Sequence, residues 1–219
     1  MEQTKRVIMT GGTGMIGGIV LRECLENEAI GHVTSIVRRP SGVEHPKLTE
    51  VIQDDFLNYQ GVTDHFQNQD IAFYCLGVYT GQVPRAQFRE ITVDYTVAFA
   101  EALKQESPEV TFCFLSGAGA DQTEKSRVAF AKDKGVAENF LLRQDFGQTY
   151  LFRPAYIYPV VARKEPNFSY QIMRFLYPLF KSIYPNGVIT SEQLGAAMFK
   201  AGFQGAPKRV LENVEIKAL

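Results

Sequence analysis

Residues 6–24 read RVIMTGGTGMIGGIVLREC: an apolar, β-branched run, a cluster of glycines, then a second apolar segment with helical spacing. Glycine is a poor residue inside either element, so a cluster at their junction marks a place where backbone must come close to something else. A strand over 6–10, a turn over 11–14 and a helix from Met15 supply the context in which a glycine motif acquires meaning. Gly11, Gly14 and Gly17 then permit a tight turn, approach of main chain to a diphosphate, and close packing of helix on strand. Unpaired amides of the first helical turn, carrying roughly half a positive charge from the helix dipole, face the phosphates. A surface turn without a ligand has no need of Gly17 and Gly18 inside the helix, where each costs about 1 kcal/mol relative to alanine. The stretch predicts a dinucleotide site.

The same alternation continues along the chain. VTSIVR (33–38), a run near 50–53, IAFYCLG (71–77), VTFCFLS (110–116) and TYLFRPAYIY (149–158) read as strands. Most are apolar on both faces, as in parallel sheets covered on both sides. Segments 15–28, 84–106 and 126–143 repeat apolar residues at intervals of three and four, as crossover helices do. Thr190 and Gln193 form a capping box ahead of a further helix, and VLENVEI (210–216) predicts a last strand. The expected fold is a single α/β domain over 1–219, a Rossmann-type doubly wound parallel sheet with helices on both faces. A small C-terminal cap is expected around 160–190, where Pro, Tyr and Phe accumulate.

Composition narrows the function. Lys plus Arg number 23 against 24 for Asp plus Glu, a net charge of −1, so no global field draws in nucleic acid or an anionic membrane. Prolines at 178 and 185 also interrupt the aromatic and basic stretch 170–185 that would otherwise suit membrane contact. Neither a secretory signal nor an apolar run of about 18 residues is found, so a cytoplasmic protein is expected. Cys24, Cys75 and Cys113 sit in apolar stretches and read as reduced, buried thiols, and the three histidines lack the spacing of a zinc site. No metal is expected, and homodimerisation through the long helices or the cap is compatible with the pattern.

Which dinucleotide binds is decided at the end of the second strand, about 20 residues past the loop, where a carboxylate would hold a ribose 2′-hydroxyl. This chain has Arg38 and Arg39 there. Two guanidinium groups suit a 2′-phosphate, so NADP is favoured over NAD; solvated surface arginines are the plain alternative. Asp54 and Asp55 follow the next strand and could bound an adenine pocket.

TGGTGMIG (10–17) is similar to the TGxxGxxG loop of extended and atypical short-chain dehydrogenases/reductases. VRRP, CLG, LSGAGAD (115–121), KGVAE (134–138) and FRP follow in order, and together they resemble the Tat-interacting oxidoreductase-like, NADPH-binding subgroup over residues 6–159. The resemblance implies that Gly11, Thr13, Gly14, Met15 and Ile16 wrap the diphosphate and that Arg38 and Arg39 hold the 2′-phosphate. It places Leu76 and Gly77 beside the adenosine, Lys134 on the nicotinamide ribose, Pro154 with Ala155 near the carboxamide, and Ser116 at the nicotinamide end. Ser116 reads equally well as a strand-terminal hydroxyl bonded to local backbone.

One departure concerns chemistry. Reductases of this superfamily place a tyrosine four residues before the lysine to protonate the developing alkoxide; here that residue is Phe130, and no tyrosine lies between Tyr95 and Tyr150. Gly117 follows Ser116 where relatives often carry a second serine. Tyr79 and Tyr156 are candidate substitutes, each also readable as a packing residue. Two readings follow: an NADPH-dependent oxidoreductase acting on an unidentified small carbonyl or alcohol, or an NADP(H)-binding sensor that has lost turnover.

Overall fold

The structure, a computed structural model, describes residues 4–161, 177 and 182–219. Most of the expected cap lies outside the described residues. In chain order the elements are β1 (Lys5–Thr10), α1 (Met15–Glu26), β2 (Ile30–Val37), β3 (Leu48–Ile52), β4 (Ile71–Tyr74), α2 (Arg85–Arg89), α3 (Tyr95–Glu106), β5 (Thr111–Leu115), α4 (Ala129–Arg143) and β6 (Gln148–Arg153). They continue with β7 (Tyr156–Tyr158), β8 (Val188–Thr190), α5 (Ser191–Gln204), β9 (Val210–Glu212) and α6 (Asn213–Ala218). A π-helical segment, Glu90–Asp94, joins α2 to α3, so the single helix expected over 84–106 carries an irregular middle.

Seven parallel strands pair in the order β3-β2-β1-β4-β5-β6-β9. The order reverses beside β1, which is the switch point where an open α/β sheet binds its ligand. Period-two alternation sorts the strand residues into two cores. Val7, Met9, Phe73, Cys113 and Phe152 face one side, packed with α1, α5 and α6. Ile8, Ala72, Tyr74, Phe112, Phe114 and Leu151 face the other, packed with α3 and α4. Both faces being buried explains why the strands read as continuous apolar runs.

Two strand expectations are corrected. The run 149–158 is split: Pro154 has no N–H to continue the ladder, and Ala155 N–H donates to Asn213 Oδ1 at 3.0 Å. Beyond this break β7 pairs with β8 in a separate two-stranded sheet. VLENVEI is a strand only as far as Glu212; Asn213 opens α6, and its Nδ2 donates to the carbonyls of Asn186 and Val188. The capping box at α5 is present, with Gln193 N–H donating to Thr190 Oγ1 and Thr190 N–H to Gln193 Oε1. Among the described residues no helix is long and apolar enough to cross a membrane.

Candidate functional site

At the end of β1, Gly11 adopts φ +76°, and a Cβ there would lie 2.6 Å from the Cys75 carbonyl carbon and oxygen, so only glycine lets this turn meet the loop after β4. Gly14 N–H donates to Gly11 O at 2.8 Å and closes the turn. Helix α1 sits directly on it, since a Cβ on Gly17 would stand 2.1 Å from Gly11 O. The N-cap, Gly14, supplies no side-chain cap, and the first turn holds no acidic residue. The opening amides of α1 are left for an anion. They border two clefts, one of about 410 Å³ lined by Thr13, Gly14, Met15, Gly18 and Ser191, the other of about 230 Å³ reaching Gly77, Ser116 and Lys134. The side chain of Ile16 is buried in the core, so only its backbone can serve a ligand.

Arg38 and Arg39 are exposed immediately beyond β2, and among the described residues neither forms a salt bridge. Asp55 is exposed beyond β3, where its Oδ1 accepts from Leu57 N–H at 2.9 Å and caps its own turn. Burial and a hydrogen bond to Glu90 push the Tyr95 phenol up, with smaller opposed effects from Asp55 and Arg38. Leu76 is half-buried against the α3 side of the sheet, and Gly77 is exposed.

The opposite end is built from side chains. Lys134, on α4, is buried; its Nζ donates to Leu115 O at 2.9 Å and lies 4.6 Å from the centre of the Phe114 ring. Burial pushes its pKa down to about 8, against the opposing pull of Glu138. The Phe130 ring lies on Gly117, where a Cβ would be 2.5 Å from Cζ. Phenylalanine at 130 and glycine at 117 thus fit each other. Ser116 Oγ donates to Glu138 Oε1 at 2.5 Å, and Glu138 is fully buried. That carboxylate also accepts from Arg153 through Nε and a terminal nitrogen, and from Gln122 Nε2 at 2.9 Å. Pro154 is buried, its carbonyl accepting from Ala118 N–H at 2.9 Å. A cleft of about 520 Å³ runs from here past Tyr79, Ser116, Phe130, Pro154 and Tyr156.

Residues 11–157 match the family profile described as NAD(P)H-binding. The chain belongs to this NAD(P)H-binding family. The chain is similar to Protein HTATIP2 of Rattus norvegicus, at 30% identity over 154 residues, 69% of this chain and 62% of that protein. It is also similar to Protein fmp52-2, mitochondrial, of Aspergillus oryzae, at 26% identity over 149 residues, 67% of this chain and 65% of that one. The chain therefore spans less than two thirds of the length of these curated relatives. The Bordetella bronchiseptica enzyme WbmH, solved in complex with NAD+, shares the fold with a TM-score of 0.70 at 17% identity, covering 95% of this chain and 74% of that one.

Among the residues singled out from sequence, the structure gathers Gly14, Met15, Ile16, Gly77, Ser116 and Lys134 around one cleft, with Pro154 and Tyr156 on its neighbour. Arg38, Arg39 and Asp55 lie apart from these clefts, beyond the ends of β2 and β3. Sequence reasoning missed Glu138, Arg153, Gln122 and Asn213. Glu138 carried a usable signal, since it follows Lys134 by one helical turn and shares its face. The pairing of Arg153 with Glu138 has no such local sign.

Proposed function

We propose that this family member binds NADP(H) and is an oxidoreductase acting on a small alcohol or carbonyl compound. The observation that carries the reading is that a cap-free glycine cradle, an arginine pair with no salt bridge among the described residues and a buried lysine stand along one edge of the sheet, at its switch point. The residues fit the cofactor: the loop leaves room for backbone to approach a diphosphate, the first turn of α1 carries no acidic residue, and the one carboxylate on the adjoining cleft among the described residues, Glu192, is paired with Arg22 at 2.7 Å. When bound, the dinucleotide supplies or takes up hydride at its nicotinamide ring. The chain's own part is to bind and orient. Amides at the start of α1 hold the diphosphate, Arg38 and Arg39 select the 2′-phosphate, and Lys134 Nζ offers its remaining N–H bonds to ribose hydroxyls. Tyr79 and Tyr156 are the phenols on the larger cleft that could hold a proton for the substrate oxygen.

The second reading, a cofactor-binding sensor, is favoured by the Phe130 ring packed on Gly117, which leaves α4 without its usual proton donor. Calorimetric titration with NADPH and NADH, followed by NADPH oxidation over a panel of small aldehydes and ketones, separates the two. The oxidoreductase reading expects tight NADPH binding, turnover above background, and a faster rate in Phe130→Tyr. Tight binding without turnover in either form rejects it in favour of the sensor.

A further inference from the structure

The buried carboxylate beneath Ser116 fixes where that hydroxyl's proton can be. Both oxygens of Glu138 already face donors: Oε1 receives Arg153 Nε at 2.9 Å, and Oε2 receives Gln122 Nε2 at 2.9 Å together with a terminal Arg153 nitrogen. Arg153 is tied from behind by Glu212 at 2.9 Å. A carboxylate gripped by a bidentate guanidinium acts as an acceptor on both oxygens, and the one direction left on Oε1 faces Ser116 Oγ. The hydrogen in the 2.5 Å contact between Ser116 Oγ and Glu138 Oε1 therefore belongs to serine. A hydroxyl has one proton and two lone pairs, so with the proton committed inward only lone pairs remain for the cleft.

From this arrangement we infer that Ser116 meets its ligand as a hydrogen-bond acceptor, and that the site selects a group that donates, an alcohol hydroxyl or an amide N–H, over a bare carbonyl oxygen. Lys134 lines the same cavity, and its Nζ spends one N–H on Leu115 O. A hydroxyl can accept from this ammonium and donate to Ser116 at once; a carbonyl can only accept. Glu138, Arg153 and Gln122 are positioning residues for this purpose, since they act through Ser116. The role of the ligand as substrate rests on the function proposed above, but the direction of the Ser116 hydrogen bond does not.

Two measurements test the inference. In the full chain without added ligand, proton NMR should show a downfield, slowly exchanging hydroxyl resonance that is absent from Ser116→Ala. A Ser116 proton exchanging at the rate of an exposed serine overturns the assignment. Titration with 1-phenylethanol and acetophenone, which share a carbon skeleton, should favour the alcohol by about three- to ten-fold, the worth of one neutral hydrogen bond. In Ser116→Ala, where Glu138 keeps three other donors, the two should bind alike. Parity or a ketone preference in the unsubstituted chain, or binding of neither, overturns the selectivity without recourse to the variant. Failure of the dinucleotide reading would show separately, as a chain that ignores NADPH while its Ser116 proton stays protected.

Discussion

At the amino end of α1 the cleft is made of main chain, whereas beneath β5 and α4 it is made of buried side chains. The first end consists of glycines, a turn closed by one backbone hydrogen bond, and helix amides without a cap. The second consists of a cation, Lys134, and an ion pair, Glu138 with Arg153, both largely removed from water. A main-chain site changes little with the protein's electrostatic state and depends on shape. A side-chain site of this kind is the reverse: its geometry persists only while every charge keeps its partner.

The comparison is broken most severely by removing one charge. Arg153→Met leaves Glu138 buried with only Ser116 and Gln122, and loss of one partner from a buried pair costs about 3–5 kcal/mol. Chemical denaturation should show that loss as a fall in midpoint at unchanged slope. A midpoint within experimental error of the parent would mean that Glu138 finds another partner, and the side-chain end would be no more fragile than the loop.

These two ends also differ in how plainly the sequence announces them. A backbone-built site needs glycine at fixed offsets, so Gly11, Gly14 and Gly17 declare it within a single turn and helix. The parallel sheet declares itself similarly, because strands buried on both faces must be apolar throughout. Phe130 was legible as a departure, since the motif fixes its position, but Gly117 took its meaning only when the ring was seen lying on it. Arg153, Gln122 and Asn213 reach their partners across folds of the chain, and nothing in local spacing encodes such contacts. Pro154 reads in the sequence only as part of a continuous strand over 149–158; the side chain that takes over from the ladder, Asn213, lies far along the chain.

A second test reverses the usual sign of a deletion. Lys134 has its pKa lowered from 10.5 to about 8, chiefly by burial. At about 1.36 kcal/mol per unit, the folded state carries up to about 3 kcal/mol against its charge. Lys134→Met should therefore raise stability near neutral pH by about 1–3 kcal/mol, the loss of the Leu115 hydrogen bond reducing the gain, while dinucleotide binding weakens. The parent's stability should also rise between pH 8 and 10.5, where the unfolded chain still holds a proton that the folded chain has released. That rise should vanish in the variant, as judged by denaturation midpoints across the range.

At the main-chain end the corresponding test is steric. Gly17→Ala would put a methyl group 2.1 Å from the Gly11 carbonyl oxygen, forcing α1 off the turn. Overpacking of this kind costs about 1–3 kcal/mol, and the displaced amides should lose most of their affinity for NADPH. Gly42→Ala separates strain from clash, since Gly42 has a positive φ and open space within 4 Å, whereas Gly17 has no positive φ and a close neighbour. If Gly17→Ala bound NADPH as tightly as the parent, the amides of α1 would not be what holds the diphosphate.

The smallest effect is expected beyond the end of β2. Arg38 and Arg39 are exposed, and charge-assisted bonds at such a site are weakened by screening, so each substitution to alanine should cost about 1 kcal/mol of NADPH affinity. What matters is the pattern rather than the size. NADH lacks the 2′-phosphate, so its affinity should be unchanged in both variants, and the NADPH loss should shrink as salt is raised. Equal losses for both coenzymes would place the arginines on the shared diphosphate or adenine instead, and they would not be what tells NADP from NAD.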